Sequence, residues 1–468
     1  MFLGREYELQ FLENIYKRDT GDVVILYSKR RTGKTFLVNQ FSRNKPSIYF
    51  LALRETKKEL IKKFSIKLSE FYHDNEISGT PFTSWDDAFE YLIQKTRRNR
   101  KKLLIILDEI TNITLSDKLF LSTIWKYYDL HPRNNNIMII LMGSYTSIMS
   151  NDVLSYSSPL YGKRTDKIKL EEFTFYDVYR YFRKIDIRKI IIIYALFGGL
   201  PYYLSLINPD NDIIEQYVNR ENIFHNDAEF ILNKELINPE RYFTILKLIA
   251  NGNNSMSRMA NIMDVKPYEI SAYLDKLISM DLIKKGYPLY NNKRNNGRYI
   301  INGNYFNFYF RFIFDKQEYI NNSQESIIKD IINSNLDEYI SDIFRDICIE
   351  FLKLYSNKII NSYIVEMGSW WVKNKATEND REEIDIIGKD SLNRYIFSDI
   401  LYENSGSGIA ALEELKRKSG IFGFDNKLYI LFSLHDFDRN LINISEIENN
   451  VILINIEQMA AILDKSVI

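Results

Sequence analysis

The chain has 468 residues, with 62 Lys+Arg against 62 Asp+Glu, four His and one Cys. That length exceeds one ordinary hydrophobic core and points to about two to four domains. The balanced charge excludes coating of nucleic acid or membrane by net charge and leaves only local patches, while the single Cys348 excludes an internal disulfide framework and fits a reducing compartment.

The first residues, Met1-Phe2-Leu3-Gly4-Arg5-Glu6, lack the charged-then-apolar design of a secretory leader. Residues 187–196 form an apolar run, but it is too short to span a bilayer and is interrupted by Arg188 and Lys189. The expectation is a soluble cytoplasmic protein without membrane contact.

Residues 2–9 open a helix that continues through Leu12 and Ile15. An apolar run of strand length, Asp22-Val23-Val24-Ile25-Leu26-Tyr27, then leads into Ser28-Lys29-Arg30-Arg31-Thr32-Gly33-Lys34-Thr35-Phe36 and an amphipathic helical pattern. This is the order a phosphate-binding loop needs. Loop N–H groups and the helix N-terminus face phosphates, the Lys meets β/γ oxygens, and the hydroxyl of Thr35 holds Mg²⁺. In the usual spacing the first position of the motif is Gly, and here it is Ser28, which turns at some cost in backbone freedom. Placed just ahead of this loop, the Gly4-Arg5-Glu6 turn can close over an adenine.

Residues 45–100 alternate a strand at 47–53, a helix at 57–72 and a helix at 85–94, as an α/β sheet does. Basic residues in 95–102 read as a solvated face. Lys101-Lys102-Leu103-Leu104-Ile105-Ile106-Leu107-Asp108-Glu109 is a second buried-strand run, ending in two carboxylates. In a parallel sheet they lie at the edge where ligands collect. Asp108 is placed to hold Mg²⁺ and Glu109 to polarise an attacking water. A third run over 137–142 ends in Gly143-Ser144 and offers Ser144 at the same edge. Arg164 carries a guanidinium suited to spread over γ-phosphoryl oxygens, or it is a solvated loop arginine.

These stretches occur in one order with Ser158-Pro159-Leu160-Tyr161-Gly162-Lys163-Arg164-Thr165 and Gly198-Gly199-Leu200-Pro201. The order resembles the archaeal-type ATPases of the AAA+/STAND group over roughly residues 1–320, and more weakly to the end of the chain. The resemblance implies an α/β P-loop ASCE core with a parallel sheet (1–167), a helical lid (168–238) and a winged helix (239–320). It implies ATP and Mg²⁺ as ligands, Ser144 as a sensor, and Arg164 as a sensor or arginine finger. A finger acting in trans requires a homo-oligomer. Arg5, Ser28, Arg31, Thr32, Gly33, Lys34, Thr35, Phe36 and Pro201 are then the nucleotide-binding set, with Glu109, Lys34, Arg164 and Ser144 catalytic.

Residues 168–235 read as helices, among them 175–182, 187–197 and 201–206. Three further helices, 241–250, 257–263 and 267–280, precede two strand-like pieces flanking Asn295-Asn296-Gly297, a winged helix-turn-helix pattern. Lys284, Lys285, Lys293, Arg294 and Arg298 form a wing cluster suited to the phosphates of double-stranded DNA. The same pattern also serves as a packing module or a site for a protein partner. The aromatic stripe from Asn304 to Phe314 reads as buried in a domain junction.

Residues 330–468 read as a helix at 336–355, strand-like pieces at 359–366, 383–388 and 394–401, and a helix at 410–417. They resemble the restriction-endonuclease-like domain that often follows such ATPases. Those nucleases hold Mg²⁺ with an Asp on one strand and Asp/Glu-x-Lys on the next. Asp385 and Asp399 match the acids, but Leu401 stands where Lys is expected. Glu382, Glu383 or Lys416 would have to complete the site, so a degenerate, structural or binding domain is the expectation. The alternatives to an ATP-hydrolysing switch are an ATP-gated DNA nuclease and a non-hydrolysing nucleotide-gated interaction protein.

Overall fold

Strand runs that are apolar at every position have no polar face to give to water, and three of them lie side by side in this chain. A computed structural model describes residues 4–97, 101–130, 136–144, 149–162, 165–290, 297–373, 381–401 and 408–465. The chain folds into two compact units. The first comprises residues 1–172, 200–202 and 275–281, and the second comprises 173–199, 203–274 and 282–468. No helix among the described residues is long and apolar enough to cross a membrane.

The first unit is built on a five-stranded sheet of order β2-β3-β4-β1-β5, with β1 Asp22–Ser28, β2 Ser47–Leu51, β3 Leu103–Asp108, β4 Ile137–Ser144 and β5 Thr165–Leu170. Every pairing is parallel. Successive side chains take opposite faces. Val23, Ile25, Leu103, Ile105, Ile139 and Leu141 enter one core with the helices Lys57–Tyr72 and Trp85–Thr96. Val24, Leu26, Ile106, Ile140 and Met142 enter a second core with the helices Glu6–Tyr16 and Lys34–Ser42. Register sets Ser28 opposite Ser144 and Leu170, and Leu51 opposite Asp108. The C-terminal ends of all five strands therefore form one edge.

Two expectations fail in this unit. Residues 168–170, read as the start of a helical stretch, instead end a fifth strand, Thr165–Leu170. Its edge position keeps Lys167 and Lys169 alternating with Ile168 and Leu170, which hides it from a search for continuous apolar runs. Lys102 is not on a solvated face. It is 7 % exposed, and its ammonium donates to the carbonyls of Arg18 and Thr20 at 2.7 Å and to Asp22 at 3.2 Å. Three oxygens compensate its burial.

The second unit begins with the helices Phe175–Phe182 and Ile187–Phe197. Glu240–Ala250, Met256–Ile262 and Pro267–Ser279 follow, the second capped by Ser255, and then an antiparallel pair, β6 Ile283–Gly286 and β7 Arg298–Ile301. The aromatic stripe is buried as expected: Tyr305, Phe308, Tyr309 and Phe312 are all in the core. Tyr305 lies 4.4 Å from the Tyr203 ring and donates its hydroxyl to the Phe224 carbonyl at 2.8 Å, so rings and polar tips are both satisfied.

The helix expected at 336–355 is the middle of a longer one, Glu325–Ile360. It supplies Tyr339, which donates to the Ala195 carbonyl at 3.1 Å. Its Glu350 carboxylate accepts from the N–H groups of Phe175 and Tyr176 at 3.3 Å and so adds to the Thr174–Asp177 capping box of the helix Phe175–Phe182. Beyond it in the chain comes a second five-stranded sheet of order β12-β11-β10-β9-β8. Its strands are β8 Ile364–Lys373, β9 Arg381–Asp390, β10 Tyr395–Leu401, β11 Lys427–Ser433 and β12 Val451–Asn455. β9 runs antiparallel to both neighbours, whereas β10, β11 and β12 are parallel. Residues 359 and 360 end the long helix, so the first strand starts later than its sequence implies.

Candidate nucleotide site at the first sheet edge

The loop between β1 and the helix Lys34–Ser42 needs two left-handed residues. Arg31 has φ 69° and Gly33 φ 89°. Glycine takes that conformation freely; arginine does so at a cost of about 1–3 kcal/mol. The Arg31 guanidinium lies over the Tyr202 ring at 4.2 Å and its carbonyl accepts from the Tyr202 N–H at 3.4 Å, which holds the strained residue in place. Pro201 sits against the loop, with Cγ 3.9 Å from the point where a Cβ on Gly33 would lie.

Ser28 is fully buried and does more than replace a glycine. Its hydroxyl contacts the Thr32 hydroxyl and donates to the Lys29 carbonyl at 2.8 Å. Lys34 folds back over the loop, donating to Ser28 Oγ at 2.9 Å and to the Lys29 carbonyl at 3.2 Å. Arg5 does not reach outward. It is 7 % exposed and donates to the carbonyls of Thr32 at 3.2 Å and Glu171 at 2.6 Å, bracing the back of the loop. Phe36 is exposed in the first turn of the helix.

At the end of β3, Asp108 is buried. One carboxylate oxygen accepts from the Glu109 N–H at 2.8 Å and the other from the Tyr49 hydroxyl. Burial, with the Asp108 carboxylate alongside, pushes the Tyr49 phenol well up, so it stays a donor. Glu109 is left-handed at φ 54°, and its carboxylate lies 3.8 Å from the Arg30 guanidinium. Ser144 is buried opposite Ser28. Thus Ser28, Lys34, Thr35, Asp108, Glu109 and Ser144 gather at one edge. Arg164, with Lys163, lies outside the described residues.

Sequence reasoning missed Tyr49, Arg30 and Tyr202. Arg30 was visible as part of a basic loop, but its pairing with Glu109 depends on the β1–β4–β3 order and not on any local spacing.

Comparison with known proteins agrees with this geometry. Residues 2–207 match a family described as an ATPase domain predominantly from Archaea, and residues 309–416 match archaeal and bacterial proteins of unknown function. An uncharacterized protein of Methanocaldococcus jannaschii is 28% identical over 438 residues, covering 91% of this chain and 93% of that one. An uncharacterized ATP-binding protein of the same organism is 44% identical over 45 residues, 10% of this chain and 76% of that one. Among solved structures, a Walker-type ATPase of Pyrococcus abyssi superposes with a TM-score of 0.50 at 20% identity, covering 66% of this chain and 96% of that one. The shared fold is that of P-loop ATPases, and the second sheet belongs to a separate domain.

On the second sheet, Asp385 of β9 and Asp399 of β10 are brought together. Burial first, and then the Asp385 carboxylate, pushes Asp399 up to about 8, with Lys418 opposing. The residues invoked to complete a catalytic site are engaged elsewhere. Lys416 pairs with Glu448 at 2.5 Å, Glu382 with Arg417 at 3.0 Å and Glu383 with Arg298 at 2.5 Å. Leu401 packs into the sheet core. Among the described residues no group of three or more His, Cys, Asp or Glu is arranged to hold a metal ion.

Arg298 also lies over the Trp371 ring at 4.5 Å, and the Leu289 N–H donates to the Ser369 carbonyl at 2.9 Å. The β6–β7 hairpin is thereby fastened to β8. Lys284 and Lys285 remain exposed, while Lys293 and Arg294 lie outside the described residues.

Proposed function

We propose that the chain binds and hydrolyses ATP and that nucleotide state drives a conformational switch. The observation that carries this reading is the gathering of Lys34, Thr35, Asp108, Glu109 and Ser144 at one sheet edge through the order β2-β3-β4-β1-β5. Lys34 leaves Ser28 Oγ to meet the β/γ oxygens, and the N–H groups of Thr32, Gly33 and Lys34 face the phosphates. Ser28, Arg31, Phe36 and Pro201 shape the same pocket, and Arg5 holds its back wall.

A hydroxyl and a carboxylate, Thr35 and Asp108, form a hard oxygen set that fits Mg²⁺, which keeps most of its waters and neutralises phosphate charge when bound. Glu109 orients the attacking water. Ser144, and Arg164 in cis or from a second copy, read the γ-phosphate.

Turnover of ATP beside Glu109→Gln tests this. The expected result is a drop of about 100-fold or more in kcat with nucleotide binding retained. Tight binding with no turnover in either protein would overturn the hydrolytic reading in favour of a nucleotide-gated interaction module.

The helices following residue 172 act as a lid, and residues 239–320 as a winged helix that contacts double-stranded DNA or a protein partner. Exposed Lys284 and Lys285 support a phosphate contact. The C-terminal domain is a structural or binding module of degenerate nuclease type, for which Leu401 and the engaged Lys416 speak. The single, buried Cys348 supports a cytoplasmic setting.

A further inference from the structure

Tyr49 stands on β2, two residues before the Leu51 that pairs with Asp108. Its ring packs into the core shared by Leu37 and Val38, the face that carries the helix Lys34–Ser42. Its hydroxyl therefore lies between the end of β3 and the first turn of that helix. There it donates to Asp108.

A carboxylate can only accept, so the phenol proton goes to Asp108 and holds one of its oxygens. The other Asp108 oxygen is already held by the Glu109 N–H, so the carboxylate cannot rotate.

We propose that Tyr49 is a positioning residue for the divalent cation, holding the Asp108 carboxylate so that its remaining oxygen lone pairs face one point. It touches neither nucleotide nor cation. This inference rests on the proposed nucleotide site and adds the residue that aligns its metal-holding carboxylate. Such outer partners weigh about 10- to 100-fold in metal affinity.

The test is Tyr49→Phe in the full chain, which removes one oxygen and keeps the buried ring. ADP affinity is measured by calorimetry in EDTA and in saturating Mg²⁺, and Mn²⁺ binding to the ADP complex by electron paramagnetic resonance. The expected result is Mn²⁺ affinity weakened about 10-fold or more, with ADP affinity in EDTA and the thermal midpoint unchanged. Equal Mn²⁺ affinity in the two proteins overturns the inference while leaving the nucleotide site standing. A parallel loss of ADP affinity in EDTA also overturns it, because Tyr49 would then merely support the loop. Absence of ADP binding in the unaltered protein overturns the parent reading and this one with it. Tyr49→Leu serves as the second variant: it removes the ring too and is expected to lower the thermal midpoint, which separates packing from alignment.

Discussion

Asp108 and Asp399 both stand on buried strands of five-stranded sheets, yet the chain surrounds them in opposite ways. Asp108 meets donors, a phenol and a backbone N–H. Asp399 meets a second carboxylate, with one lysine in the background. Donors aim a carboxylate's oxygens; burial beside a like charge favours a retained proton. Two acids on adjacent strands are therefore no sign of a working metal site unless something nearby donates to them.

The sharpest way to break this contrast is to neutralise each acid in turn. Asp108→Asn is expected to abolish Mg²⁺-dependent ATP turnover, by about 100-fold or more, whereas Asp399→Asn leaves it within about twofold. A steady-state assay over a Mg²⁺ titration decides, and equal losses would mean the second sheet participates in the first site's chemistry.

Stability against pH separates them next. The folded chain keeps the Asp399 proton up to about pH 8, while an unfolded Asp releases it near about 4. The stabilisation from that proton is complete below about pH 4 and is lost as pH rises through about 8. Asp399→Asn is expected to gain about 1–3 kcal/mol at pH 9 and nothing measurable at pH 4, by urea unfolding. The same gain at both pH values would show that charge is not the cause.

The smallest effect concerns the hairpin. Glu383→Gln releases Arg298 and is expected to raise duplex DNA affinity about threefold, the weight of one partly exposed ion pair, with a salt slope steeper by about 1. Fluorescence anisotropy across a salt series reads both, and no change in either removes Arg298 from the DNA-facing set.

Much of the first site was legible because buried parallel strands are continuous apolar runs, and β1, β3 and β4 announce themselves. Their punctuation by Gly33-Lys34-Thr35 and Asp108-Glu109 then places the edge chemistry. β5 escaped because an edge strand alternates with lysines. Tyr49 escaped because its partner lies 59 residues away and is reached only through strand register. Arg5 was legible as important but not in its role, since a buried guanidinium on carbonyls and one on an adenine look alike in sequence. On the second sheet the acids could be read, but the commitments of Lys416, Glu382 and Glu383 are tertiary.

The Glu350 cap links two lengths of chain that inheritance treats as separate. The ATPase family match runs to residue 207, while Glu350 lies in the segment matched by the other family, 309–416. Residues 173–199 are thus read with one module and folded with the other. A fragment cut after residue 207 keeps the Thr174–Asp177 capping box but strips the first two N–H groups of the helix Phe175–Phe182 of the Glu350 carboxylate and Ala195 of the Tyr339 hydroxyl. Any exchange of C-terminal halves between related chains has to carry residues 173–199 across with the half that buries them.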